Sequence, residues 1–76
     1  MRFELIPEES RSTMTGDHLN VYRIINAPEG TDDISIIQAF LKSDAYLFKI
    51  PYGTFRVDRD ENDVPDRLRW SYDTSG

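Results

Sequence analysis

Apolar and polar positions alternate along most of this 76-residue chain, and in one stretch they recur with helical spacing instead. Phe3 and Leu5 alternate with Arg2, Glu4 and Ile6 before Pro7. Period-two alternation predicts a short first strand over Arg2–Ile6. His18–Asn26, HLNVYRIIN, predicts a second strand from its β-branched and aromatic residues. Leu19, Val21, Arg23 and Ile25 fall on one of its faces, and Tyr22 and Ile24 on the other. Between these strands Pro7–Asp17 is polar and reads as a long, mobile loop.

The helical stretch follows Ala27-Pro28-Glu29-Gly30. Thr31 or Asp32 supplies an N-cap, and the first-turn acids suit the positive end of the helix dipole. Ile34, Ile37 and Leu41 stand at i, i+3 and i+7, with Ile36 and Phe40 widening the stripe. The helix is predicted to end near Ser43.

Ala45–Asp58, AYLFKIPYGTFRVD, is the most apolar and aromatic part of the chain and reads as a hairpin. Pro51 presets the second position of a type I turn over Ile50-Pro51-Tyr52-Gly53, and Gly53 accepts positive φ. That turn sets Phe48 opposite Arg56 and Leu47 opposite Val57. One face then carries Ala45, Leu47, Lys49, Phe55 and Val57; the other carries Tyr46, Phe48, Ile50, Thr54 and Arg56. A helix continued to Phe48 keeps the same spacing for residues 44–49, with Pro51 as its stop. The turn favours the strand, because it needs a partner on its N-terminal side. The charged, proline-containing stretch from Arg59 to Arg67 reads as a loop. Arg67–Tyr72 is a last strand, with Leu68, Trp70 and Tyr72 on one face and Arg67, Arg69 and Ser71 on the other. Residues Asp73–Gly76 read as a frayed tail.

The expected architecture is α+β: a single domain over 1–76, in the order β-β-α-β-β-β, with one helix packed on an antiparallel sheet of about five strands. Its expected core joins Ile34, Ile37, Phe40 and Leu41 to Phe3, Leu5, Leu19, Val21, Leu47, Phe55, Val57 and Trp70. A helix covers only one face of a sheet. The other face of the hairpin is therefore either more core or a contact surface.

Composition narrows the function. Fourteen acids against nine bases give a net charge of −5, which repels nucleic acid and anionic membranes on average, though a local basic patch would overrule the average. Without cysteine there are no disulfides and no thiolate zinc sites. No apolar run approaches a membrane span, and MRFELIPEES lacks the apolar region of a signal peptide. The expectation is a cytoplasmic protein that begins at Met1.

No motif calls for catalysis, a metal or a cofactor. Asp58-x-Asp60-x-Asn62 begins like a calcium loop, but the sixth position, normally Gly, is Asp63, and the twelfth, normally Glu, is Arg69. His18, the only histidine, is explained as a surface residue opening a strand. In size, acidity and lack of cysteine the chain resembles phage-encoded inhibitors and small accessory proteins; no motif carries that resemblance.

What remains is binding. Tyr46, Phe48, Ile50 and Arg56, with Arg67 and Arg69, are the candidate contact residues, since aromatic rings and arginine are enriched at the centres of protein interfaces. The expected function is a non-catalytic module that occludes or bridges a protein partner, or pairs with a second copy of itself. The alternative is nucleic-acid binding on the same arginines, with Tyr46, Phe48 and Tyr72 as stacking rings.

Overall fold

A computed structural model describes residues 1–46 and 53–73. Five strands and one α-helix follow one another as β1 (Arg2–Leu5), β2 (Arg11–Ser12), β3 (Asp17–Ile25), α1 (Asp33–Leu41), β4 (Thr54–Arg59) and β5 (Pro65–Asp73), with a 3-10 turn at Pro7–Glu9. The strands form one antiparallel sheet in the order β1-β3-β5-β4, with β2 also paired to β3. The helix packs on one face of this sheet, giving the expected α+β domain.

The segment Pro7–Asp17 is not a free loop. β1 and β2 lie on the same side of β3, and the 3-10 turn is an excursion between them. Where the chain leaves the sheet, one hydroxyl repairs the ladder. Ile6 N–H donates to Val21 O at 2.8 Å. The return bond is relayed: Val21 N–H donates to Ser10 Oγ at 3.0 Å, and that hydroxyl donates to Ile6 O at 2.9 Å. No backbone pattern in the sequence announces this use of Ser10.

Two hairpin turns share one geometry. In Thr13–Asp17, Thr13 N–H donates to Asp17 O (2.9 Å) and Gly16 N–H to Thr13 O (3.2 Å). In Asp60–Val64, Asp60 N–H donates to Val64 O (2.9 Å) and Asp63 N–H to Asp60 O (3.0 Å). In each, the first side chain also accepts from the fifth N–H: Thr13 Oγ1 from Asp17 at 3.1 Å, Asp60 Oδ1 from Val64 at 2.9 Å. The fourth residue is left-handed in both, Gly16 at φ 94° and Asp63 at φ 62°. This is the three-residue hairpin loop, found at these two sites. Pro51 and Tyr52 of the turn expected at Ile50–Gly53 lie outside the described residues, as do Leu47–Ile50; Gly53 has the expected positive φ, 121°.

Pro65 opens β5 rather than lying in a loop, a position that needs no ladder N–H. The helix begins as expected, with Asp32 as N-cap accepting from Ser35 N–H at 2.8 Å. The Ser35 hydroxyl, and after it the Ser35 N–H, hold the Asp32 carboxyl below its ordinary range. It ends at Leu41 and is followed by turns at Ser43–Ala45. Neither the helix extension to Phe48 nor a strand beginning at Ala45 is formed there.

The core lies between α1 and the sheet. Ile36 and Phe40 point inward, onto Tyr22, Ile24, Leu68, Trp70 and Tyr46. Phe3, Ile37, Phe55 and Val57 pack against them, and Trp70 is fully buried, as expected. Three expectations fail. The helix centres on Ile36 and Phe40, so Ile34 is 67% exposed and Leu41 lies at the surface. β3 turns Tyr22 and Ile24 to the helix, not Leu19 and Val21. Leu5 is exposed at the β1 edge. Both strand faces and a wide helical arc are apolar, so spacing alone left the phase open; the larger rings took the interior.

Candidate functional site

The face of the sheet turned away from α1 is set by register. β5 places Arg67 and Arg69 on it, because Leu68, Trp70 and Tyr72 face the helix. Across β4, Arg69 stands opposite Arg56, and Arg67 opposite Asp58. Across β3, Arg69 stands opposite Val21 and Arg67 opposite Arg23. Arg56, Arg67 and Arg69 thus share one face, as expected.

The expected aromatic partners are elsewhere. Tyr46 was expected on an accessible face but is 8% exposed in the core. Its ring lies 5.2 Å from that of Trp70 and 5.7 Å from that of Phe40. Tyr72 is on the helix side, stacked on His18 at 4.8 Å. Burial pushes the Tyr22 hydroxyl above its ordinary pKa, and Tyr72 adds to this. Phe48 and Ile50 lie outside the described residues.

On the far face one carboxylate joins two of the arginines. Asp58 Oδ1 accepts from Arg56 Nε at 3.0 Å, and Asp58 Oδ2 accepts from Arg69 Nε. The bond from Arg69 holds the Asp58 carboxyl below its ordinary range, and Arg56 contributes in the same direction. Without Asp58, Arg56 and Arg69 would be like charges directly opposed across two strands, an unfavourable pairing. Arg67 pairs with Asp66 at 3.0 Å and with Glu9 of the 3-10 turn at 3.5 Å. Sequence reading named the three arginines but not Asp58 as the carboxylate that Arg56 and Arg69 share; the alternation Arg56-x-Asp58 was the available signal.

Arg59 acts on the other side. Its guanidinium donates to Asp33 Oδ1 (2.7 Å), to Thr31 O (2.9 Å) and to Asp63 O (2.9 Å). It thereby ties the start of α1 to the β4–β5 turn. Arg59, Thr31 and Asp63 border a concavity of about 690 Å³ that also includes Pro28, Gly30 and Asn62. Of the calcium-like run, Asp58 is engaged by arginines, and Asp60 Oδ1 accepts from Asn62 N–H and Val64 N–H. Among the described residues no group of three or more His, Cys, Asp or Glu side chains is arranged to hold a metal ion.

A second concavity, of about 580 Å³, lies at the opposite end of the sheet, between Arg11, Asp17, Leu19, Thr54, Ser71 and Asp73. His18 is at its rim, with Nδ1 2.9 Å from Ser12 Oγ. Asp17 and Asp73 oppose each other across β3 and β5. The described helix is too short to cross a membrane. Comparison of the chain with known protein families, with curated proteins and with solved structures finds no match.

Proposed function

We propose that the protein is a non-catalytic, cytoplasmic binding module that acts by occluding a protein partner, in the manner of a small inhibitor or accessory protein. The observation that supports this reading is the outward stripe of α1. Ile34 and Leu41, apolar and two turns apart, face solvent on either side of the half-buried Ile37. An amphipathic helix laid into a partner's groove uses this spacing. A second copy of the chain is the other occupant such a stripe admits.

The test is capture from lysate by the wild-type protein and by Ile34→Asp and Leu41→Asp variants, with the mass of each complex measured. Both substituted side chains lie at the surface, so the fold should survive; circular dichroism checks this. Capture by the wild type and its loss in both variants is the expected result. Equal capture by all three would remove the helix stripe as the contact surface. A complex of twice the protomer mass would identify the partner as a second copy.

Nucleic-acid binding is the second reading, and it draws on the shared face of Arg56, Arg67 and Arg69. Two of its three expected stacking rings are not there, since Tyr46 and Tyr72 lie on the helix side. Absence of single-strand binding even at low salt would remove it.

A further inference from the structure

The strand registers separate charge within an acidic chain. Six of the nine lysines and arginines, namely Arg2, Arg11, Arg23, Arg56, Arg67 and Arg69, are on the face of the sheet away from α1. The acids at strand positions of that face are Glu4, Asp17, Asp58 and Asp73. The rest of the chain keeps three cations and ten acids. At the strand positions of this face six cations thus stand against four acids, with Glu9 and Asp66 pairing to Arg67 from its border.

We infer that this arginine face is a docking surface for an acidic segment of a protein partner. Asp58 shows the fit in miniature. Its carboxylate sits between two guanidiniums on neighbouring strands and receives a bond from each. Arginine presents a planar fork that matches a carboxylate in this way. Arg56 keeps most of its side chain in solvent (74%), so it has donors to offer beyond Asp58. Arg23 is exposed between Glu4 and Arg67 in the register and adds a further guanidinium one strand away. A short acidic segment crossing these strands meets a guanidinium about every 5 Å, the spacing of neighbouring strands.

Phosphate polymers fit the face less well. Among the described residues their bases would find no rings on it, because Tyr46, Trp70 and Tyr72 are packed on the other side. A longer polyanion would also run into Asp17 and Asp73 at one end of the sheet and Glu4 and Glu9 near the other. The surface is separate from the helix stripe, and the inference stands whether or not that stripe binds a partner.

Fluorescence anisotropy with a labelled glutamate-rich peptide, an isosteric glutamine-rich peptide and an oligothymidylate of equal length tests the inference. The glutamate peptide should bind at low salt, the glutamine peptide should not, and raising salt towards physiological strength should weaken binding severalfold. Arg23→Glu and Arg56→Glu, both at exposed positions, should each weaken binding by about tenfold. Asp58→Asn should tighten it, a gain that unfolding cannot mimic. Ile34→Asp should leave it unchanged. Failure of the glutamate peptide to bind, equal binding by the arginine variants, or tighter binding of the oligothymidylate would each overturn the assignment.

Discussion

On the helix side of the sheet, Phe40 has five aromatic rings around it: Phe3, Tyr22, Tyr46, Phe55 and Trp70, at centroid distances from 4.7 to 6.1 Å. On the other side, Asp58 has two guanidiniums. The same strands build both arrangements, one residue out of phase. Apolar burial supplies the stability of a domain this small. Exposed ion pairs add little to it but fix which charges face outward. The helix side therefore carries most of the apolar burial, and the far side carries the charge pattern.

The sharpest way to break this contrast is Phe40→Ala. Removing a fully buried ring should cost about 3–5 kcal/mol. A domain of this size has roughly 4–11 kcal/mol in total, so urea unfolding should show a large population already unfolded or a midpoint close to zero. A loss under about 1 kcal/mol would mean that the core collapses around the gap.

Ser10→Ala is the next largest, and it crosses between the faces. It strands the Val21 N–H and the Ile6 carbonyl, both on buried residues, and should cost about 1–3 kcal/mol. A change within about 0.3 kcal/mol would show that water replaces the hydroxyl without penalty.

Asp58→Asn should cost about 1 kcal/mol at neutral pH. The Asp58 carboxyl has a lowered pKa in the folded protein, mainly through Arg69, so its contribution is complete above the unfolded carboxylate value. It is lost as pH falls through the lower, folded value. The stability difference between wild type and Asp58→Asn should therefore be present at pH 7 and shrink below about pH 4. A difference that grows in acid would reverse the sign. Smallest of all, Arg56→Ala should change stability by less than about 0.5 kcal/mol, since its side chain is mostly in solvent.

The two faces were not equally legible in the sequence. The faces of β5 were read correctly, because its apolar residues occupy one parity and its arginines the other; its ends were not, since the strand also takes in Pro65, Asp66 and Asp73, expected in a loop and a frayed tail. The hairpin strand was also read correctly at Phe55, Val57, Thr54 and Arg56. β3 and α1 were not: each has apolar residues in more than one phase. There, side-chain size decided the outcome, and spacing does not report size. Val21 illustrates the difficulty. It is fully buried yet lies on the far face, where Ile6 is its neighbour across the register. Tyr46 was misplaced for a different reason. Its side was inferred from a strand that does not begin at Ala45, so alternation had no bearing on it. The Ser10 relay and the shared Asp58 involve one side chain serving two others, which a linear pattern does not display.

The paired turns at Thr13–Asp17 and Asp60–Val64 bear on how the chain finds this structure in time. Each joins strands adjacent in sequence, so each hairpin closes over a short loop, an event of about 1–10 μs. The β3–β5 ladder is different in kind: it pairs residues more than forty positions apart. Loop-closure entropy makes that meeting the slow step. Two quickly formed halves should thus wait on one encounter. Stopped-flow kinetics would show it as Leu68→Ala, in the ladder, slowing folding more than Asp63→Gly, which relieves a left-handed non-glycine residue, speeds it. The opposite ranking would put the barrier in the turns.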